Sequence, residues 1–153
     1  MSKIAIMLGG NLPDTPEKMN FALEKLQNSG FTIDKISKIF HSEAVDCVPD
    51  TPDFLDRAVT GEWKNSAEEL LRLCQSIEVE AGRPAIHSSR ESRVLDIDII
   101  LFGDEVIDLP HLVIPHPRAL QRQFVLEPLA EIAPDWNFPG KITVSEALKK
   151  LNP

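Results

Sequence analysis

Arg93-Val94-Leu95-Asp96-Ile97-Asp98-Ile99-Ile100-Leu101-Phe102 is the stretch on which the reading of this chain turns. From Val94 to Phe102 it predicts the strongest strand in the sequence. Side chains alternate along a strand, so Asp96 and Asp98 share one face, about 6.7 Å apart at Cα. Leu95, Ile97, Ile99 and Leu101 take the opposite face and anchor the strand in a core. Two carboxylates side by side repel unless a cation lies between them. Mg2+ takes one or two protein carboxylates and completes its shell with water and substrate phosphates. Two such ions about 3.5–4 Å apart are the usual arrangement for phosphoryl or nucleotidyl transfer. The alternative is an ordinary strand with a solvated polar face, against which stands the poor strand propensity of Asp.

Downstream, Gly103-Asp104 fits a two-residue hairpin turn returning through Glu105 to Leu109. A Pro-rich stretch follows, then a helix from Phe124 to Ala133 and a last helix capped by Thr143-Val144-Ser145-Glu146. Upstream, residues 84–92 read as an exposed loop, and Ser66-Ala67-Glu68-Glu69 opens a helix that buries Leu70, Leu73, Cys74, Ile77 and Ala81 before Gly82 stops it. Asp53 to Trp63 predicts a strand with Phe54, Asp56, Ala58 and Thr60 on one face. Ser42 to Pro52 is a loop, and residues 31–40 predict a strand with an irregularity near Lys35. Ile4 to Leu8 is a buried strand ended by Gly9-Gly10-Asn11. A helix with Thr15 as N-cap and Pro16 at its first position then runs to Gly30. Strands joined by short turns and interleaved with helices predict an α+β fold: a largely antiparallel sheet with packed helices, a ferredoxin-like α/β sandwich.

The chain has 153 residues, the size of one domain, and a single domain over 1–153 is expected. Its 42% hydrophobic and 26% charged residues exclude a disordered chain, a collagen and a coiled coil. A formal charge of −8 argues against nucleic acid or an anionic membrane as partner, while leaving room for a small anion in a locally basic pocket. Cys47 and Cys74 match no zinc spacing and read as reduced thiols, which suits the cytoplasm. No run approaches the ~18 apolar residues of a membrane span. The expected state is a monomer.

The arginines sharpen the picture. Arg72, Arg83, Arg90, Arg93, Arg118 and Arg122 are six of the seven, and no lysine lies between Lys64 and Lys141. The planar guanidinium matches phosphate oxygens bidentately, where lysine offers a point charge. Arginine gathered around an Asp-x-Asp strand in an acidic chain points to a polyphosphate.

These residues resemble a known family. Arg93 to Gly103, read as Arg-x-x-Asp-Ile-Asp-Ile-x-Leu-Phe-Gly, is similar to the signature of 6-hydroxymethyl-7,8-dihydropterin pyrophosphokinases of folate biosynthesis. Leu8-Gly9-Gly10-Asn11-Leu12 resembles that family's first-strand turn, and Pro52-Asp53-Phe54-Leu55-Asp56 its Pro-x-aromatic-Leu-Asn strand. Gln75-Ser76-Ile77-Glu78 with Gly82-Arg83, Ile114-Pro115-His116, and Arg122 to Pro134 match further motifs in the right order. The resemblance covers nearly the whole chain.

It implies transfer of pyrophosphate from ATP to the hydroxymethyl group of the pterin, with release of AMP. By position, Asp96 and Asp98 would hold two Mg2+ ions bridging the phosphates, and Arg83 and Arg93 would grip the transferred group. Gln75, His116, Arg118 and Arg122 would lie on the nucleotide side. Phe54 and Phe124 would sandwich the pterin ring, with Ser42, Val45 and Asp56 along its edge. The chain departs from the family in four places. In the first three, Arg90-Glu91-Ser92-Arg93 replaces aromatic-Gly-Pro-Arg, Ala85 to Ser89 replaces an arginine-bearing loop, and Ser42-Glu43-Ala44 replaces Thr-x-Pro. A fourth departure is Asp56 in place of Asn: an ionised Asp only accepts hydrogen bonds, whereas Asn also donates. Three alternatives therefore stay open: a divergent relative acting on another ring alcohol, a non-catalytic module that binds nucleotide or pterin, and a metal-dependent nucleotidyl transferase.

Overall fold

The chain is described from a computed structural model, which covers residues 2–42, 53–82 and 95–152. In chain order the elements are β1 (Ser2–Gly10), α1 (Thr15–Asn28), β2 (Thr32–Ile36), β3 (Phe40–Ser42), β4 (Phe54–Trp63), α2 (Ala67–Glu80), β5 (Asp96–Phe102), β6 (Ile107–Leu109), β7 (Leu112–Ile114), a 3-10 turn (Ala119–Gln121), α3 (Gln123–Ile132) and α4 (Val144–Leu151). The main sheet has the order β2-β4-β1-β5, with β3 continuing beside β4. Since β1 and β2 are each antiparallel to β4, they run parallel to one another with β4 inserted between them. The same holds for β4 and β5 around β1. This is the expected mixed α+β plan, two split βαβ units on one antiparallel sheet.

Alternation along the strands produces two cores. Ile4, Ile6, Leu8, Val59, Ile97 and Ile99 face α1 and α2, meeting Met19, Ala22, Leu26, Leu70, Cys74 and Ile77. Ala5, Met7, Ala58 and Ile100 face α3 and α4, meeting Val125, Leu126, Leu129, Val144 and Ala147. Ser66 caps α2 by accepting the Glu69 N–H, and Thr143 with Glu146 forms a complete capping box on α4.

Five expectations need correction. Leu101 does not share the face of Ile97 and Ile99: a register shift on β1 between Ala5 and Ile6 lies between their pairings, and Leu101 joins Ile100 in the core under α3 and α4. Thr15 is not the N-cap of α1. Asp14 holds that position, and Thr15 is a buried helical residue whose hydroxyl accepts the Leu12 N–H at 3.0 Å. β1 does not end at Leu8, because Gly9 and Gly10 pair with Asp56 and Leu55 on one side and Gly9 pairs with Asp96 on the other. The stretch 31–40 is two strands. Buried Ser37 breaks it, exchanging backbone and side-chain hydrogen bonds with Ala58 at 2.9 Å. The expected irregularity near Lys35 is present as a register shift between Ile33 and Lys35. Gly103 does turn the chain, with φ +56°, but its N–H donates to Lys3 O, and β6 pairs with β7 instead of returning along β5.

Gly61 carries the tightest approach in the sheet. An added Cβ there would collide with the Thr32 carbonyl and the ring of Phe31, which is 1% exposed. Backbone on one side and a locked core ring on the other leave no room to relax. Gly61→Ala is therefore expected to destabilise the protein by about 1–3 kcal/mol, read as a lower urea midpoint with an unchanged slope.

Candidate functional site

Asp96 and Asp98 stand on β5 as the sequence predicted, off the face that buries Ile97 and Ile99. Their register on β1 builds the site. Asp96 lies opposite Gly9 and Asp98 opposite Met7, and on the other side of β1 the same two residues face Asp56 and Ala58. A row Asp56–Gly9–Asp96 thus crosses three strands, all on the α3 side, with no side chain at its centre. A Cβ on Gly9 would sit 3.0 Å from Asp56 Oδ1.

Asp56 is 7% exposed and accepts the Ser42 hydroxyl at 3.2 Å. Burial pushes its carboxyl up to about 7. The Ser42 bond opposes this, and the charges of Asp96 and Asp98 add to it. The structure thus ties Ser42, Asp56, Asp96 and Asp98 into one electrostatic unit. Phe54 lies two residues before Asp56 on β4, half-buried, and pairs with Ser42 across the strands.

The rim comes from the segment after β7. The His116 N–H donates to Ile100 O at 3.2 Å, which fixes that residue beside β5. Burial holds the His116 ring below its ordinary pKa; Asp98 opposes this, while Arg122 and Arg118 reinforce it. The Arg118 N–H donates to His116 Nδ1 at 3.4 Å. Arg122 occupies the N-cap position of α3, with its guanidinium 5.4 Å from the Phe124 ring centroid. Phe124 is 39% exposed, an open aromatic face in the first turn of that helix. Gln75 is exposed on α2, in the helix layer on the other side of the sheet. Arg83, Arg93, Val45 and the 84–92 loop lie outside the described residues.

Among the described residues, no group of three or more His, Cys, Asp or Glu is arranged to hold a metal ion. Two carboxylates flanking a gap are instead the donor set that Mg2+ accepts when phosphate oxygens supply the rest. The residues therefore fit Mg2+ carried in with a polyphosphate. The basic rim of Arg118 and Arg122 and the exposed ring of Phe124 suit a phosphorylated substrate and a flat ring.

Two features escaped the sequence reading. Glu78 was visible only as a helix neighbour of Gln75, yet its Oε2 accepts the Ile97 N–H at 2.8 Å, between the two aspartates. Gly9 read as a strand terminator, and its role as the missing side chain depends on which strands flank it.

The comparisons with known proteins agree with this geometry. The family profile described as 7,8-dihydro-6-hydroxymethylpterin-pyrophosphokinase (HPPK) matches residues 5–134. A protein of Synechocystis sp. named 2-amino-4-hydroxy-6-hydroxymethyldihydropteridine pyrophosphokinase is 37% identical over 148 residues, 95% of this chain and 74% of its own. Proteins of the same name from Bacillus subtilis and Pseudomonas aeruginosa are 40% and 33% identical, covering 86% and 97% of this chain and 79% and 91% of their own. A crystal structure of wild-type Plasmodium falciparum HPPK-DHPS superposes with a TM-score of 0.76 at 14% identity. It covers 97% of this chain, which spans 41% of that longer one. That likeness concerns the fold.

Proposed function

The chain belongs to the 7,8-dihydro-6-hydroxymethylpterin-pyrophosphokinase family, and from that premise we propose that it transfers the pyrophosphoryl group of ATP to the hydroxymethyl oxygen of 6-hydroxymethyl-7,8-dihydropterin, one step of folate biosynthesis. The observation that carries the proposal is the Asp96-x-Asp98 pair, set on a core-anchored strand across Gly9 from Asp56 and rimmed by His116.

In this reading the hydroxymethyl oxygen attacks the β-phosphorus of ATP. The bond from that phosphorus to the oxygen bridging to the α-phosphate breaks, AMP leaves, and the hydroxyl proton passes to solvent. Asp96 and Asp98 would hold two Mg2+ ions, which when bound offset the charge of the phosphate oxygens. Arg83 and Arg93 grip the transferred group, while Gln75, His116, Arg118 and Arg122 serve the nucleotide. Phe54 and Phe124 stack on the ring, and Ser42, Val45 and Asp56 meet its edge. Such chemistry is positioning and charge neutralisation more than covalent catalysis. The same reading makes 1–153 one pyrophosphokinase domain, working as a monomer in the cytoplasm. The free, buried thiol of Cys74 is in keeping with a reducing compartment.

Product analysis tests it. With ATP, Mg2+ and hydroxymethyl-dihydropterin, the protein is expected to release AMP in step with the diphosphorylated pterin. Pyrophosphate release would mark nucleotidyl transfer, and no release at all a binding module. Either result overturns the proposal.

A further inference from the structure

We infer that Glu78 is a positioning residue for the metal-holding strand: by accepting the Ile97 N–H it sets the direction of the Asp96 and Asp98 carboxylates. The inference deepens the pyrophosphokinase reading and rests on it. Among the described residues β5 is the end strand of the sheet, paired with β1 on one side. A backbone N–H on the far side of such a strand has no neighbouring strand to receive it. The Ile97 N–H belongs to the peptide joining Asp96 to Ile97, and it donates to Glu78 Oε2 at 2.8 Å. Holding that peptide plane fixes ψ of Asp96 and φ of Ile97, and so the aim of both carboxylates that flank it.

The sequence of α2 makes this possible. Cys74 and Ile77 are fully buried, so α2 cannot rotate, and Glu78 emerges at the flank of that buried stripe, level with β5. Ile97, at 4% exposure, locks the strand into the same core from the opposite direction. The Cys74 thiol is held protonated mainly by burial, with the charges of Glu78 and Asp98 adding to it. What Glu78 supplies to the strand is thus an acceptor at a fixed place, its Oε2 on the Ile97 N–H.

Acceptor and charge can be separated by substitution. Glu78→Gln keeps the reach and an accepting oxygen but loses the charge. Glu78→Asp keeps the charge but is one methylene too short. Glu78→Ala loses both, and Ser66→Ala loosens α2 at its cap without touching β5. Mg2+ affinity is measured calorimetrically in the presence of a non-hydrolysable ATP analogue, and exchange of the Ile97 amide hydrogen is followed by NMR. Glu78→Ala and Glu78→Asp are expected to weaken Mg2+ by about tenfold or more, while Glu78→Gln and Ser66→Ala stay within about twofold of wild type. Ile97 exchange should accelerate in the first two and stay protected in the others. If Glu78→Ala does not fold, the contrast between Gln and Asp decides. Equal affinities throughout, a weakened Gln variant beside a normal Asp variant, or an equal loss in Ser66→Ala would each overturn the inference. Failure of the pyrophosphokinase reading shows separately, as absence of AMP from the wild type.

Discussion

Asp98→Ala and Asp96→Ala are each expected to lower AMP formation by about a thousandfold or more while leaving the fold intact. The magnitude follows from the role. Charge stabilisation through a bound cation is worth several kcal/mol in the transition state, and each 1.36 kcal/mol is a factor of ten in rate. Stability should change little, because neither side chain belongs to either hydrophobic core and Ile97 and Ile99 still anchor the strand from its other face. Removing Asp96 even relieves repulsion, since its charge helps to raise the Asp56 carboxyl. The measurement is AMP release at saturating ATP and Mg2+, paired with a thermal unfolding curve. Turnover within about tenfold of wild type in either variant, with a native unfolding curve, would sink the metal assignment.

The aspartate pair was legible because strand alternation is local: Ile97 and Ile99 declare the core face, and Asp96 and Asp98 must take the other. The helix caps at Ser66 and Thr143 were legible for the same reason, each being a short-range pattern with its acidic partner three residues on. Where adjacent residues offered the same signal, the reading slipped. Asp14 and Thr15 can both cap, and in the structure Asp14 takes the N-cap position without a side-chain cap hydrogen bond, while the Thr15 hydroxyl accepts the Leu12 N–H. Partner choice was the larger gap. Gly103 announced a turn, but β5 already ends in register with β1, through Ile4 opposite Phe102, so the returning strand had to find β7. Likewise Gly9 and Gly10 look like breakers until β4 and β5 are placed on either side of them. There a side chain at Gly9 would crowd Asp56. Glu78 belongs with these cases, since its partner lies 19 residues away on a strand whose neighbour no local pattern names.

Asp56→Asn is expected to make the protein more stable at alkaline pH and to leave it nearly unchanged in acid. The folded-state pKa of Asp56 is about 7, against an ordinary value of 3.8, because burial at the sheet disfavours the charged form and the charges of Asp96, across Gly9, and of Asp98 add to it against the Ser42 hydrogen bond. An acid whose folded pKa is raised contributes its full stability below its unfolded pKa. That stability drains away as pH rises and is gone above the folded pKa. The loss between acid and about pH 8 is on the order of 4 kcal/mol, and an amide, which does not titrate, avoids it. In metal-free buffer, the stability gap between Asp56→Asn and wild type should therefore widen by about 2 kcal/mol from about pH 5.5 to about pH 8. His116 titrates in both proteins and drops out of the difference. A gap that stays constant over this range would show that Asp56 is ionised throughout. The consequence for the proposed substrate follows from the same proton. A neutral carboxyl donates as well as accepts and can do the work of an asparagine on a ring edge that needs both, whereas an ionised one loses the donor. Bound Mg2+ favours the ionised form. With Mg2+ and an ATP analogue present, Asp56→Asn should then bind hydroxymethyl-dihydropterin more tightly than wild type by up to about 1–3 kcal/mol, the usual penalty for a buried group left unpaired. Weaker binding by the variant would mean that Asp56 selects a ring edge made only of donors. Identical calorimetric affinities would remove Asp56 from the ring edge altogether.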